Sequence, residues 1–212
     1  MKRKQVPFFA NTPDDSHCFQ AAIQMVLKYF LPDKDYTIEE LDKMTAKKEG
    51  LWTWPTQGLI SLLKMGFEVV SMDAIDMQAF IDRGVEYIKE NYGEEVAQQM
   101  DLHSDIRQGQ QQYKEYLKFN VHKKTVPTTD DIKSFIDQGY LVIANINSQI
   151  LGGKSGYTGH FVVIFDHDEN NLILHDPGLP PIPNRFIPYT LFKKAWEYPI
   201  PDAANLMAVK LK

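Results

Sequence analysis

The order of hydrophobic patterns along the chain limits its fold more than any other feature. Apolar residues in the first part recur every three or four positions, whereas those in the last part stand in short, unbroken runs bounded by turn residues. Ala22, Ile23, Met25, Val26, Leu27 and Phe30 follow Cys18 at helical spacing and predict a helix over 18–30 with one buried face. Asp14, Asp15 and Ser16 stand before it as N-cap residues, and Pro32 ends it. Thr37 and Glu40 have capping-box spacing ahead of a second helix. A third is delimited by Pro55 near its start and Gly66 after its end. "FEVVSM" then reads as a strand.

The C-terminal part changes character. "TTDDIKSFIDQG" is a capped helix ending at Gly139, and "YLVIANIN" is a buried strand. The Gly-rich loop "LGGKSGYTG" leads to a second strand, "HFVVIFDHD", and "ENN" turns it into a third, "LILHDP", as a hairpin. "PYTLFKKAWE" reads as a short helix and "ANLMAVKL" as a final strand. Helices first and antiparallel strands last predict an α+β domain in two halves, a single unit over 1–212. Residues 76–118, rich in Glu, Gln, Lys and Tyr, predict two or three helices forming an insertion: a lid, a docking surface or a solvated appendage.

A net charge of −5 gives no electrostatic basis for binding nucleic acid or an anionic membrane. No apolar run is long enough to span a bilayer, so the expectation is a soluble, cytoplasmic protein. The single cysteine excludes an internal disulfide and any zinc site built from several thiolates. His17, His167, His175 and Asp176 lack metal-ligand spacing, and neither a metal nor another cofactor is expected.

The chemistry concentrates on Cys18. A thiol attacks well only as thiolate, and a helix N-terminus and a nearby imidazolium both favour that form. Of the six histidines, His160 is placed best, where a loop gives way to a strand. A general base needs an orienting partner, and Asp176 ends the next strand of the hairpin, opposite His160. Each residue alone is equally readable as structure: a small buried hydrophobe, a core histidine, the start of an Asp-Pro turn. Their order and setting join them as a possible Cys-His-Asp triad. Trp52 and Trp54 fit either a substrate groove or core packing.

"VPFFANTPDDSHCFQAAIQMVLKYF", "DIKSFIDQGYLVIANIN", "GHFVVIFDHDENNLILHDPG" and "YTLFKKAWE" together resemble the papain-like cysteine peptidases (clan CA) related to the bacteriocin-leader, double-glycine processing domains. The resemblance implies a papain-like fold, with a helical half carrying Cys18, a sheet half carrying His160 and Asp176, and the site in the cleft between them. It further implies a thiol hydrolase cleaving a peptide or amide bond through an acyl-enzyme, with a peptide or protein as substrate. Acyl transfer by the same triad, or an idle scaffold on the same fold, stand as alternatives. The family usually has a glutamine a few residues before the cysteine as oxyanion donor. Here Asn11 is the nearest amide and takes the oxyanion role by expectation. Where the family commonly has glycine after the cysteine, this chain has Phe19. Gly152-Gly153 resembles the dipeptide that leader peptidases cut, and its position predicts a mobile loop beside the site. No transporter portion accompanies these motifs, which argues against export.

Overall fold

A computed structural model describes residues 5–212. Its first half is helical: α1 (Cys18–Phe30), α2 (Ile38–Thr45) and α3 (Pro55–Lys64) precede the strand β1 (Phe67–Asp73). Four helices follow, α4 (Met77–Arg83), α5 (Val85–Tyr92), α6 (Glu94–His103) and α7 (Ile106–Tyr116), and then a short strand, β2 (His122–Lys124). The C-terminal part runs α8 (Thr129–Asp137), β3 (Leu141–Asn147), α9 (Ser148–Leu151), β4 (Gly159–His167), β5 (Asn171–Asp176), β6 (Ile182–Pro188), α10 (Tyr189–Trp196) and β7 (Asn205–Leu211).

The strands form a seven-stranded sheet in the order β2-β1-β7-β3-β4-β5-β6. All its ladders are antiparallel except the edge pair β1–β2, which is parallel. β3 and β4 lie in the middle and are buried on both faces, which is why their sequences are nearly continuous apolar runs. Side chains of successive residues leave opposite faces. Ile143, Phe161 and Val163 pack towards α1–α3, whereas Val142, Val162 and Ile164 pack towards α10 and α8. Ile23, Met25, Val26 and Leu27 of α1 are fully buried, each contributing roughly 1.5–3 kcal/mol. That packing fixes Cys18, at the end of the same helix, relative to the sheet.

Local signals explain most boundaries. Thr37 and Glu40 form both bonds of the capping box, at 3.2 Å and 2.7 Å. Thr128 and Asp131 repeat the motif at α8. The cap of α1 differs from expectation. Its N-cap residue is His17, which makes no side-chain cap bond, and the expected caps Asp14 and Ser16 are bonded to each other at 2.7 Å. The segment after β1 holds four helices rather than two or three. Gly84 and Gly93, at φ +55° and +88°, each break a run that side-chain spacing alone would continue. α4–α7 gather Phe80, Tyr87, Ile88, Val96 and Ala97 around Trp54 as a small core of their own. Gly109 lets α7 approach Trp54 so closely that a Cβ there would stand 2.6 Å from the indole.

Candidate active site

Cys18, His160 and Asp176 line one cleft of about 960 Å³ between the helices and the sheet. The hairpin places two of them. Val163 pairs with His175, so Asp176 falls diagonally across from His160, two residues from the position directly opposite. His160 Nε2 lies 2.7 Å from Asp176 Oδ1. This leaves Nδ1 for another partner, and the Cys18 sulfur lies near enough to the ring to favour its charged form. Asn145 Oδ1, on the adjoining strand, accepts from the His160 backbone N–H at 3.1 Å.

Both ring partners matter electrostatically. Burial works against charge on His160, but the Asp176 carboxylate and the Cys18 sulfur outweigh it and push the imidazole up to about 10. Burial would likewise raise Asp176, yet its carboxyl is held below the ordinary value by His160, by the Gly178 N–H at 3.0 Å and by Arg185. Arg185 Nη1 donates to Oδ2 of Asp176 at 2.6 Å, so both carboxylate oxygens are occupied. Gly178 is crowded as well. A Cβ at that position would stand 3.0 Å from Asp176 Oδ1 and 3.3 Å from the His160 ring.

Cys18 is half-buried and borders the cleft at the first residue of α1. The first N–H groups of a helix have no intrahelical acceptor, and His17 supplies no side-chain cap for them. The positive end of α1 therefore lies beside the residue that carries the sulfur. Phe19 does not crowd the site. It turns into the core, 1% exposed, packing on Phe161 at 4.7 Å between ring centres and against Gly58.

Asn11 sits elsewhere. It is outside the lining of the cleft, and its Nδ2 donates to Asp15 Oδ1 at 2.7 Å. Its Oδ1 accepts from the backbone N–H groups of Thr12 and His17 at 2.9 Å and 2.7 Å. These bonds hold the 11–17 loop rather than present an amide to substrate. The cleft wall beside Cys18 is made by Asp14, Asp15 and Ser16 instead.

The α4–α7 segment borders the cleft through Tyr92, Gln99, Met100, His103 and Ser104. Trp52 ties it to the body: its indole stacks on His103 at 4.8 Å, and its backbone N–H donates to His103 O at 2.6 Å. Tyr157, in the loop leading to His160, stacks on Tyr198, whose hydroxyl donates to Glu95 on α6 at 2.7 Å. Both tryptophans thus serve the site, Trp52 on the cleft wall and Trp54 as wall and core together.

The family model for the Peptidase_C39 like family matches residues 3–199. The chain belongs to the Peptidase_C39-like family. The solved structure of the peptidase domain of Streptococcus ComA, a bifunctional ABC transporter involved in a quorum-sensing pathway, is similar with a TM-score of 0.55 at 13% identity. The match covers 98% of this chain and all of that domain. A double-glycine-motif protease from an AMS/PCAT transporter, solved in complex with its leader peptide, is similar with a TM-score of 0.50 at 14% identity. Here 99% of this chain and 94% of that one are covered. No curated protein matches the sequence. At these identities the likeness shows the fold of the Peptidase_C39-like chain, the papain-like arrangement of helices on an antiparallel sheet. Among the described residues no helix is long and apolar enough to cross a membrane.

Proposed function

We propose that this protein is a cysteine peptidase that hydrolyses a peptide or amide bond of a peptide or protein substrate, with Cys18 as nucleophile. The observation that carries the reading is the convergence of Cys18, His160 and Asp176 on one open cleft, with His160 Nε2 2.7 Å from Asp176 Oδ1. In this reading Cys18 and His160 act as a thiolate–imidazolium pair. The sulfur attacks the scissile carbonyl carbon, and the electrons displaced onto oxygen are met by first-turn N–H groups of α1, that of Cys18 foremost. His160 gives its Nδ1 proton to the departing amine, leaving a thioester. It then takes a proton from water, whose oxygen attacks the thioester and releases the acid. Asp176 fixes the ring orientation and supports the imidazolium throughout. Arg185 holds the carboxylate in place from its other oxygen. Acyl transfer would differ only in the last step, where an amine replaces water. A reactive thiol fits a reducing compartment, and the cytoplasm is the location proposed on that ground.

One specific observation favours a second reading, an idle binding module: the amide expected at the oxyanion is committed to Asp15. Turnover separates the two. Wild-type protein and the Cys18→Ala and His160→Ala variants are incubated with a fluorogenic peptide library, and mass spectrometry follows acylation of Cys18. Cleavage by wild type with a thioester on Cys18, both lost in each variant, is the expected result. No cleavage and no acylation across the library would remove the peptidase assignment.

A further inference from the structure

His175 is a buried titratable side chain that the proposed reaction does not use. It stands directly before Asp176 on β5 and is 1% exposed. Phe165 tilts against its ring at 4.6 Å, and Phe8 meets it edge-on at 5.2 Å. The two ring nitrogens have opposite duties. Nε2 lies 2.9 Å from Val6 O, and a carbonyl only accepts, so Nε2 carries the proton. Nδ1 accepts the backbone N–H of Asn184 at 3.1 Å and so carries none. These bonds fix a neutral ring in a single tautomer, and burial pushes the imidazole below its ordinary value to the same end.

The acceptor is needed because β6 is bulged at this point. Leu174 pairs with Arg185 but Asp176 pairs with Ile182, so two residues of β6, Pro183 and Asn184, stand against His175 alone. A bulge leaves its extra residue outside the ladder. Pro183 has no N–H to place, and Asn184, at φ +50°, gives its own to the imidazole. Arg185 is the next residue, and its guanidinium donates to Asp176. The chain leading to Cys18 is tied to the same stretch of β5. Val6 O is held by His175, and the Asn11 N–H donates to Pro177 O at 2.8 Å. Asp176 is thus flanked by the two residues that anchor that chain.

We propose that His175 is a positioning residue of the active site, seating the β6 bulge so that Arg185 meets the Asp176 carboxylate. His175 does not line the cleft, so it acts through its neighbours rather than on substrate. Its effect on turnover rests on the peptidase reading; the seating of Arg185 does not. A phenyl ring in its place would fill similar space but leave the Asn184 N–H and the Val6 carbonyl without this partner. An asparagine would keep an acceptor near the position of Nδ1.

The test uses the full chain, with peptide cleavage and nitrogen NMR as readouts. His175→Phe is expected to lower kcat roughly ten- to hundredfold with little change in KM, as Arg185→Met does, and His175→Asn to recover part of that loss. Joined in one chain, His175→Phe and Arg185→Met are expected to lose no more than Arg185→Met alone. Wild-type spectra are expected to show the neutral Nε2–H tautomer of His175. The Asn184 amide is expected to exchange slowly in wild type and fast in His175→Phe. If wild type cleaves nothing, an equal displacement of the His160 Nε2 resonance in the two single variants would retain the positioning role and discard the peptidase. Losses that multiply in the double variant, a His175 proton on Nδ1, or an Asn184 amide that exchanges equally fast in both proteins would overturn the proposal. Should His175→Phe fail to fold, the wild-type tautomer and exchange rate decide, a protected Asn184 amide in support and an unprotected one against.

Discussion

Arg185 Nη1 lies 2.6 Å from Asp176 Oδ2, on the oxygen that His160 leaves free. The guanidinium thus restrains the carboxylate from the side opposite the imidazole and adds to the forces holding it ionised. A hydrogen bond to a charged group contributes about 1.5–3 kcal/mol. Arg185→Met is expected to lower kcat/KM roughly ten- to hundredfold, mainly through kcat. Arg185→Lys is expected to recover part of the loss, since it keeps the charge but not the planar fork. Steady-state kinetics on the three proteins, with a pH profile for each, provides the check.

Gly178 packs tightly against the His160–Asp176 pair. Its missing side chain leaves room for the Asp176 carboxylate and the His160 ring, which a Cβ would meet at 3.0 Å and 3.3 Å. Gly178→Ala is expected to displace one of the two and to reduce turnover while the thermal melt moves little. An unaltered kcat would show that the pair tolerates the added methyl group.

His160 makes stability depend on pH with a defined sign. Its pKa rises on folding from 6.5 to about 10. A raised pKa means that the folded state holds the proton more tightly, so the contribution is complete below about 6.5. It is lost progressively as pH climbs from there through about 10. Urea denaturation of wild type and His160→Gln across this range is expected to show a difference in stability that shrinks as pH rises. A difference that grew with pH would contradict the charged imidazole.

Asn11 anchors the loop before the nucleophile through three side-chain bonds, to Asp15, Thr12 and His17. These bonds are part-buried, and losing a partner costs at most about 1–3 kcal/mol for each group left unsatisfied. Asn11→Ala is expected to lower unfolding free energy by about that amount, read from the denaturation midpoint. A variant of wild-type stability would leave the loop without this anchor as its support.

Much of this arrangement is legible in the sequence, because it rests on local signals. Helical spacing after Cys18, the Thr37–Glu40 box, Pro55 and the apolar runs of β3, β4 and β5 each state their own secondary structure. The order of strands then brings His160 near Asp176. What escapes such a reading depends on distance in space. β6 carries Pro183, Asn184 and Pro188 and is largely exposed, so nothing in its composition announces a strand. Its pairing with β5 is nevertheless what delivers Arg185 to Asp176. Ile182, Arg185 and Ile187 do not keep a two-residue period around those prolines, so the pattern does not mark an edge strand. Asn11 shows the converse. Residue type suggested an amide donor, but the carboxylate of Asp15 competes for the same amide only once the loop closes. The role of α4–α7 in walling the cleft likewise arises from packing of Trp52 and Trp54 against distant helices, which spacing does not encode.

The account turns on contact between a sulfur from α1 and an imidazole from β4. Its most direct test is the rate of Cys18 alkylation by iodoacetamide, followed by mass spectrometry from about pH 5 to 10, in wild type and His160→Ala. A free thiol titrates near 8.5 and reacts slowly well below that value. Wild type is expected to react rapidly already at about pH 6, with His160→Ala reacting appreciably only towards pH 8 and above. Superimposable profiles for the two proteins, or a Cys18 that reacts only after denaturation, would contradict the pairing on which the proposed chemistry depends.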